Sequence, residues 1–196
     1  MSIMTYPVNE LFLSVQFEGT NSGFLNFFIR LAHCNRNCTF CDTDYRDNVW
    51  QQMTADEILQ TMLEMSTSVK RVILTGGEPS LHDLKPLLEK LKSAGYYIAI
   101  ESNGDFIEKL YEWKPLIDWI TVSPKGKVDS TKLQLTANEV KYIVPDHGKL
   151  IDWTLPVIFL QPEWNNKEAF KECRSLLEAH PDARISIQSH KYLNIR

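Results

Sequence analysis

No apolar run in this 196-residue chain approaches the ~18 residues that a membrane-spanning helix needs. The opening MSIMTYPVNE has no basic stretch followed by an apolar one, so it does not read as a secretory leader, and a cytoplasmic protein is expected. Cysteine is scarce. Of four in all, three fall between positions 34 and 41, which does not make the disulfide framework of a small secreted domain. Neither sign of charge dominates: 21 Lys and Arg against 25 Asp and Glu leave a net charge of -4, which argues against a broad nucleic-acid-binding surface. There is no Gly/Ser linker, low-complexity tract or internal repeat, so residues 1–196 read as one continuous domain.

A chain of this length and 43% hydrophobic content supports a substantial single core. Strand-like runs recur at Leu11–Val15, Phe27–Leu31, Arg71–Leu74, Tyr96–Ile100, Trp119–Val122, Val140–Val144, Val157–Leu160 and Arg184–Ile187. Several are continuously apolar rather than alternating, as in parallel strands covered on both faces. Helices intervene. Thr54-Ala55-Asp56-Glu57 is a capping box ahead of a helix with Ile58, Met62 and Met65 on one face. Leu84–Ala94 is amphipathic and stops at Gly95, and Lys167–Ala179 follows a cap at Asn165 or Asn166. This alternation predicts an α/β fold with a mainly parallel sheet. A complete (β/α)8 barrel takes ~250 residues, so a partial, open barrel with reduced helices is expected. The connections Lys125–Glu139 and Pro145–Leu155 are expected to stand where helices would otherwise be.

Cys34, Cys38 and Cys41 have the spacing C-x3-C-x2-C. A closed structural zinc site takes four Cys or His ligands, whereas a catalytic centre keeps a position open. A [4Fe–4S] cluster takes one thiolate per iron, so three leave the fourth iron able to bind a ligand. His33 would be a poor fourth zinc ligand because it adjoins Cys34. Cys173, far away in an expected helix, reads as a small buried hydrophobe. The cysteine run, with aromatic Phe40 before its last member, strongly resembles the cluster loop of radical S-adenosylmethionine (SAM) enzymes.

Polar motifs collect where predicted strands end. Thr75-Gly76-Gly77-Glu78-Pro79 follows an apolar strand, and its paired glycines would let backbone approach a ligand closely. Alone it is only a turn; after a cluster loop it resembles the GGEP motif of radical SAM enzymes. Glu101-Ser102-Asn103-Gly104 resembles their E-T-N-G turn, though alone it would be an ordinary Asn-Gly turn. Ser123-Pro124-Lys125 and Gln161-Pro162 follow two further strands. Ligands of parallel α/β folds gather at such ends.

Further matches span Ser14 to the C-terminus: Ser14-Val15-Gln16-Phe17-Glu18-Gly19, then Phe28-Ile29-Arg30-Leu31, Cys41-Asp42-Thr43 and Gln188-Ser189-His190-Lys191. Together they resemble the 7-carboxy-7-deazaguanine synthase family. Phe17 departs from a glycine usual in that family, and Asn194 from another. The resemblance implies conversion of 6-carboxy-5,6,7,8-tetrahydropterin to 7-carboxy-7-deazaguanine, with loss of ammonia, on the route to queuosine and related 7-deazapurines. The cofactors it implies are a [4Fe–4S] cluster, SAM and Mg2+, with SAM regenerated. The partners it implies are the pterin and an external one-electron donor of flavodoxin or ferredoxin type. It also implies a homodimer, with no nucleic acid and no membrane as partner.

Residue by residue, the resemblance assigns the cluster to Cys34, Cys38 and Cys41. SAM would be bordered by Phe40, Cys41, Asp42, Gly77, Ser123, Pro124, Lys125, Gln161, Pro162, Glu163 and Trp164. Val15, Gln16, Phe17, Arg30, Thr75 and the terminal carboxylate of Arg196 would line the pterin pocket, and Thr43 would hold Mg2+. Arg30 suits the substrate carboxylate because a guanidinium binds one bidentately. Two rivals stay open at this stage: another small radical SAM protein such as a glycyl-radical activating enzyme, and a zinc-stabilised binding module. Metal analysis of protein purified without oxygen separates the classes: a brown, oxygen-sensitive iron–sulfur protein is expected, and a colourless protein holding zinc would favour the module.

Overall fold

A computed structural model describes residues 3–41, 50–145 and 150–195. It has a mixed α/β architecture with a mainly parallel sheet and few helices, as the strand–helix alternation predicts. The chain divides into two compact units, the first comprising Met1–Ser14, Leu25–Glu101 and Glu112–Trp119 and the second Val15–Phe24, Ser102–Tyr111 and Ile120–Arg196.

The first unit is built on β1 (Thr5–Val15), β2 (Leu25–Leu31), β3 (Gln51–Thr54), β4 (Arg71–Gly76) and β5 (Tyr97–Ser102), in the order β3-β1-β2-β4-β5. Strands β2, β4 and β5 are mutually parallel, with Phe27 opposite Val72 and Val72 opposite Ile98. Phe27, Ile29, Leu31, Val72, Leu74, Ile98 and Ile100 are buried. Helices α1 (Ala55–Met65) and α2 (Lys85–Ser93) pack together and bury Ile58, Met62, Leu87, Leu88 and Leu91. Met65, expected on the buried face of α1, is exposed because the helix ends there. The predicted capping box is present: Thr54 Oγ1 accepts from the Glu57 N–H at 3.2 Å, and Glu57 Oε2 accepts from the Thr54 N–H at 2.7 Å.

In the second unit β6 (Trp119–Val122), β7 (Glu139–Val144), β8 (Ile158–Pro162) and β9 (Arg184–Ile185) run parallel in sequence order. Helix α5 (Lys167–Ala179) has the predicted bounds and is capped by Asn166, whose Oδ1 accepts from the Ala169 N–H at 3.1 Å. It packs on β7 and β8 and buries Ala169 and Cys173. Burial pushes the Cys173 thiol up to about 12, as suits a small core hydrophobe. Helix α6 (Ser189–Leu193) closes the described chain.

Four elements depart from expectation. Residues Lys125–Glu139 do contain a helix, α4 (Ser130–Thr136), with Asp129 as its cap. One turn or two with Leu133 as the apolar anchor leaves no periodic signal to read. Helix α3 (Ile107–Trp113) was likewise not anticipated. Strand β1 begins at Thr5 rather than Leu11, and β3 is a short edge strand whose Gln51-Gln52 start is polar. The Pro145–Leu155 connection lies partly outside the described residues. Replacing Thr54 by alanine should destabilise the protein by about 1 kcal/mol, seen as a lower urea midpoint at unchanged slope.

Candidate active site

Ligands of parallel strands gather at the strands' C-terminal ends: in the first unit two predicted motifs begin at the ends of β4 and β5, and in the second unit two more follow β6 and the end of β8. In the first unit, the chain leaves β2 at Leu31 and enters the cysteine loop directly. Gly76 is paired with Leu31 at the end of β4 and has φ +126°, a backbone state that favours glycine. The Gly77 N–H donates to the Leu31 carbonyl and the Glu78 N–H to the His33 carbonyl, both at 2.8 Å. A Cβ on Gly76 would run into the Leu31 backbone, and one on Gly77 into the His33 carbonyl. The paired glycines therefore admit the chain's own backbone. Expectation had assigned that closeness to a ligand.

The turn is locked from beneath. Buried Glu78 accepts from the Ser80 N–H at 3.0 Å and from its hydroxyl at 2.5 Å. On the cysteine side, His82 Nε2 lies 3.0 Å from the Ala32 carbonyl. His33 takes a left-handed backbone, φ 69°, and sets its ring edge-on to Trp50 at 4.6 Å.

Cys34, Cys38 and Cys41 are in no disulfide, and each is partly exposed. Cys34 Sγ accepts from the Arg36 N–H at 3.4 Å, and the Cys41 N–H donates to the Cys38 carbonyl at 3.2 Å. Among the described residues no three His, Cys, Asp or Glu side chains gather as ligands of one metal ion. A [4Fe–4S] cluster takes each thiolate on a different iron, and three accessible thiols on one loop fit that demand. Phe40 lies beside Cys41, partly exposed. Asp42 and Thr43, expected at SAM and at Mg2+, fall outside the described residues, as does Arg196.

Arg30 and Thr75 are brought together: they are register partners across β2 and β4. Arg30 Nε donates to Glu10 at 2.9 Å, and its guanidinium lies 5.7 Å from the Phe12 ring centroid, which itself stacks on Phe28 at 5.1 Å. Glu10 comes from β1, the strand next to β2, and no short window of sequence contains that partner.

The second unit holds the remaining predicted residues. The Ser123 N–H donates to the Ser102 carbonyl at 2.7 Å, so the Glu101–Gly104 and Ser123–Lys125 motifs adjoin. Asn103 and Ser102 side chains accept from the Asp105 and Gly104 N–H groups, closing that turn on itself. Lys125 Nζ lies 2.9 Å from the Ser123 carbonyl and 2.6 Å from its hydroxyl, and Pro124 between them is buried. At the end of β8, Gln161 is buried and accepts from the Ser186 hydroxyl at 2.9 Å. Pro162 ends the strand, and the Glu163 N–H donates to Val144 at 2.9 Å. Trp164 is exposed and packs edge-on against Tyr192 at 4.7 Å.

Val15, Gln16 and Phe17 lead into a tight loop. Gln16 is buried, and its Oε1 accepts from the Phe17 and Glu18 N–H groups at 2.9 and 3.1 Å. Phe17 is partly exposed, 6.5 Å from the His190 ring. Sequence reasoning assigned no role to Glu18, Glu139, Lys141 or Ser186, which share one polar cluster in this unit. Two charges inside the run Glu139-Val140-Lys141-Tyr142 were the available signal, since a buried strand seldom carries any.

A model of the Radical SAM superfamily matches residues 29–136. A 7-carboxy-7-deazaguanine synthase of Bacteroides thetaiotaomicron is 39% identical over 98% of this chain and 100% of its own length. One from Synechocystis sp. is 33% identical over 98% of this chain and 95% of its own. The crystal structure of QueE from Escherichia coli superposes with a TM-score of 0.73 at 29% identity, covering 94% of each chain. Gly77→Ala should wedge the turn away from His33 and lower iron incorporation on anaerobic reconstitution, measured as iron per chain against the parent protein.

Proposed function

This chain belongs to the 7-carboxy-7-deazaguanine synthase family of the radical SAM superfamily, and we propose that it converts 6-carboxy-5,6,7,8-tetrahydropterin to 7-carboxy-7-deazaguanine with loss of ammonia. The observation that carries the proposal is likeness along 98% of the chain to synthases of that name, joined to a three-cysteine loop hydrogen-bonded to its Gly-Gly-Glu turn. Superfamily membership brings a [4Fe–4S] cluster and SAM as cofactors, a small-molecule substrate and an external one-electron donor.

When bound, the cluster and SAM supply one-electron cleavage of a sulfonium bond and hence a carbon radical able to remove hydrogen from the pterin. The protein's own residues hold and shield the reactants. Cys34, Cys38 and Cys41 present the thiolates, with Phe40, Cys41, Asp42 and Gly77 beside SAM. Ser123 to Lys125 and Gln161 to Trp164 complete the assigned SAM contacts. Arg30 orients the pterin carboxylate. Its Nε donates to Glu10, which fixes the guanidinium, and a guanidinium takes a carboxylate bidentately. Thr75, its register partner, adds a hydroxyl at the same place on the sheet. Val15, Gln16, Phe17 and Arg196 complete the substrate set.

Thr43 is proposed as the Mg2+ ligand. A lone hydroxyl suffices because magnesium keeps several waters and recruits substrate oxygens, so metal and pterin would bind cooperatively. A radical on carbon must be kept from water and stray hydrogen donors, which calls for a closed pocket. The same reading describes residues 1–196 as a single radical SAM domain, working in the cytoplasm as a homodimer. Among the described residues no helix is long and apolar enough to cross a membrane.

The test is an anaerobic assay of reconstituted protein with SAM, Mg2+, a low-potential reductant and 6-carboxytetrahydropterin, read by mass spectrometry. 7-Carboxy-7-deazaguanine should form and should be abolished in Cys38→Ala. Release of 5′-deoxyadenosine without that product would keep the radical chemistry and sink the substrate assignment.

A further inference from the structure

Lys141 lies in mid-β7 and is 6% exposed, on the face opposite Val140, Tyr142 and Val144, which do the strand's apolar packing. It forms an ion pair with Glu18, and the two side chains are 7% and 12% exposed. Taking both charges out of water costs more than packing two apolar side chains of the same volume, so a buried pair is weak evidence of a stabilising role. What it does provide is a directional link between two points far apart in the chain.

That link fastens a loop. Glu18 Oε2 takes Lys141 Nζ, while Glu18 Oε1 accepts from Gln188 Nε2 at 3.2 Å. The next two residues dock as well: the Gly19 N–H donates to Ser186 Oγ at 3.3 Å, and the Thr20 N–H to Glu139 Oε2 at 2.9 Å. Glu139 Oε1 accepts from the Thr121 hydroxyl at 2.9 Å. Gly19 has φ +63°, and a Cβ there would run into the Glu139 carboxylate. Gln16 turns the chain by accepting from the Phe17 and Glu18 N–H groups. Gln16 and Glu18 are thus fastened inwards on either side of Phe17, whose ring is left partly exposed near His190.

Resting on the reaction proposed above, we infer that Lys141 is a positioning residue for the pterin: its ion pair with Glu18 clamps the loop Val15–Phe24 and so sets where Gln16 and Phe17 meet the substrate. Glu139 makes the arrangement one-sided. With the Lys141 charge removed, Glu18 on the loop would lose its cation while the Glu139 carboxylate of β7 stays at the loop backbone, and the loop would be released.

Three variants test this: Lys141→Met, Glu18→Gln and the double. Each single should raise KM for 6-carboxytetrahydropterin by about tenfold and lower kcat by less than about threefold, because the loop is displaced before binding. In substrate-free protein, amide hydrogen exchange at Phe17 to Thr20 should quicken in the variants while amides of α5 exchange as before. The double variant should cost no more than the worse single, since both break one link. Unchanged KM, exchange that quickens equally in α5, or additive losses would each overturn the inference. If Lys141→Met does not fold, Glu18→Gln, which keeps size and shape, carries the same comparison. Should the parent protein turn over no pterin, the reaction assignment fails, and the exchange measurement still decides whether the clamp exists.

Discussion

The approach of two backbone segments, Leu31–His33 and Gly76–Glu78, is the constraint on which the reactive centre depends. Two N–H to carbonyl bonds of 2.8 Å join them, and the space where side chains would start at positions 76 and 77 is filled by neighbouring backbone. A loop with three metal-seeking thiols has many conformations available and a large entropy to lose. Bonding its first residues to a strand-end turn removes much of that freedom before any metal arrives. His82 at the Ala32 carbonyl and Glu78 beneath Ser80 extend the same restraint on either side.

The second unit relies on a different device. Strand β7 separates its chemistry by alternation: Val140, Tyr142 and Val144 lie on one face, where α5 buries Cys173 and Ala169, while Glu139 and Lys141 lie on the other. Buried charges are tolerable only when paired and hydrogen-bonded, and here their partners come from the Gln16–Thr20 loop, from β6 and from the residues after β9. The ion pair and hydrogen bonds offset part of the cost of burying these groups, and they fix the loop in place.

Phe17 stands where the family resemblance led to the expectation of a glycine. Its aromatic ring stands beside His190 between two inward-fastened side chains, so the substitution adds a flat apolar surface without loosening the turn. The hydrogen bonds that shape the turn run through the Gln16 side chain and the backbone N–H groups of Phe17 and Glu18, which any residue at position 17 can supply. That explains how the departure is accommodated locally.

Features set by short-range chemistry were legible from the sequence alone. The Thr54–Glu57 capping box, the Asn166 cap and full extent of α5, and the parallel β2-β4-β5 core all follow from local spacing and periodicity. The candidate cluster loop could be proposed from the sequence too, because its three cysteines are confined to eight consecutive residues, 34 to 41. Short elements such as α3 and α4 were not, since seven residues give no repeated apolar pattern. Only the tertiary structure decided that the paired glycines make room for backbone, that Arg30 already carries Glu10 as a partner, and that Glu18 meets Lys141 across 123 positions. The physical reason is the same in each case. Local motifs carry their own geometry, whereas the partner of a charge or the occupant of a missing Cβ is chosen by strand register and loop docking, which no short window of residues contains.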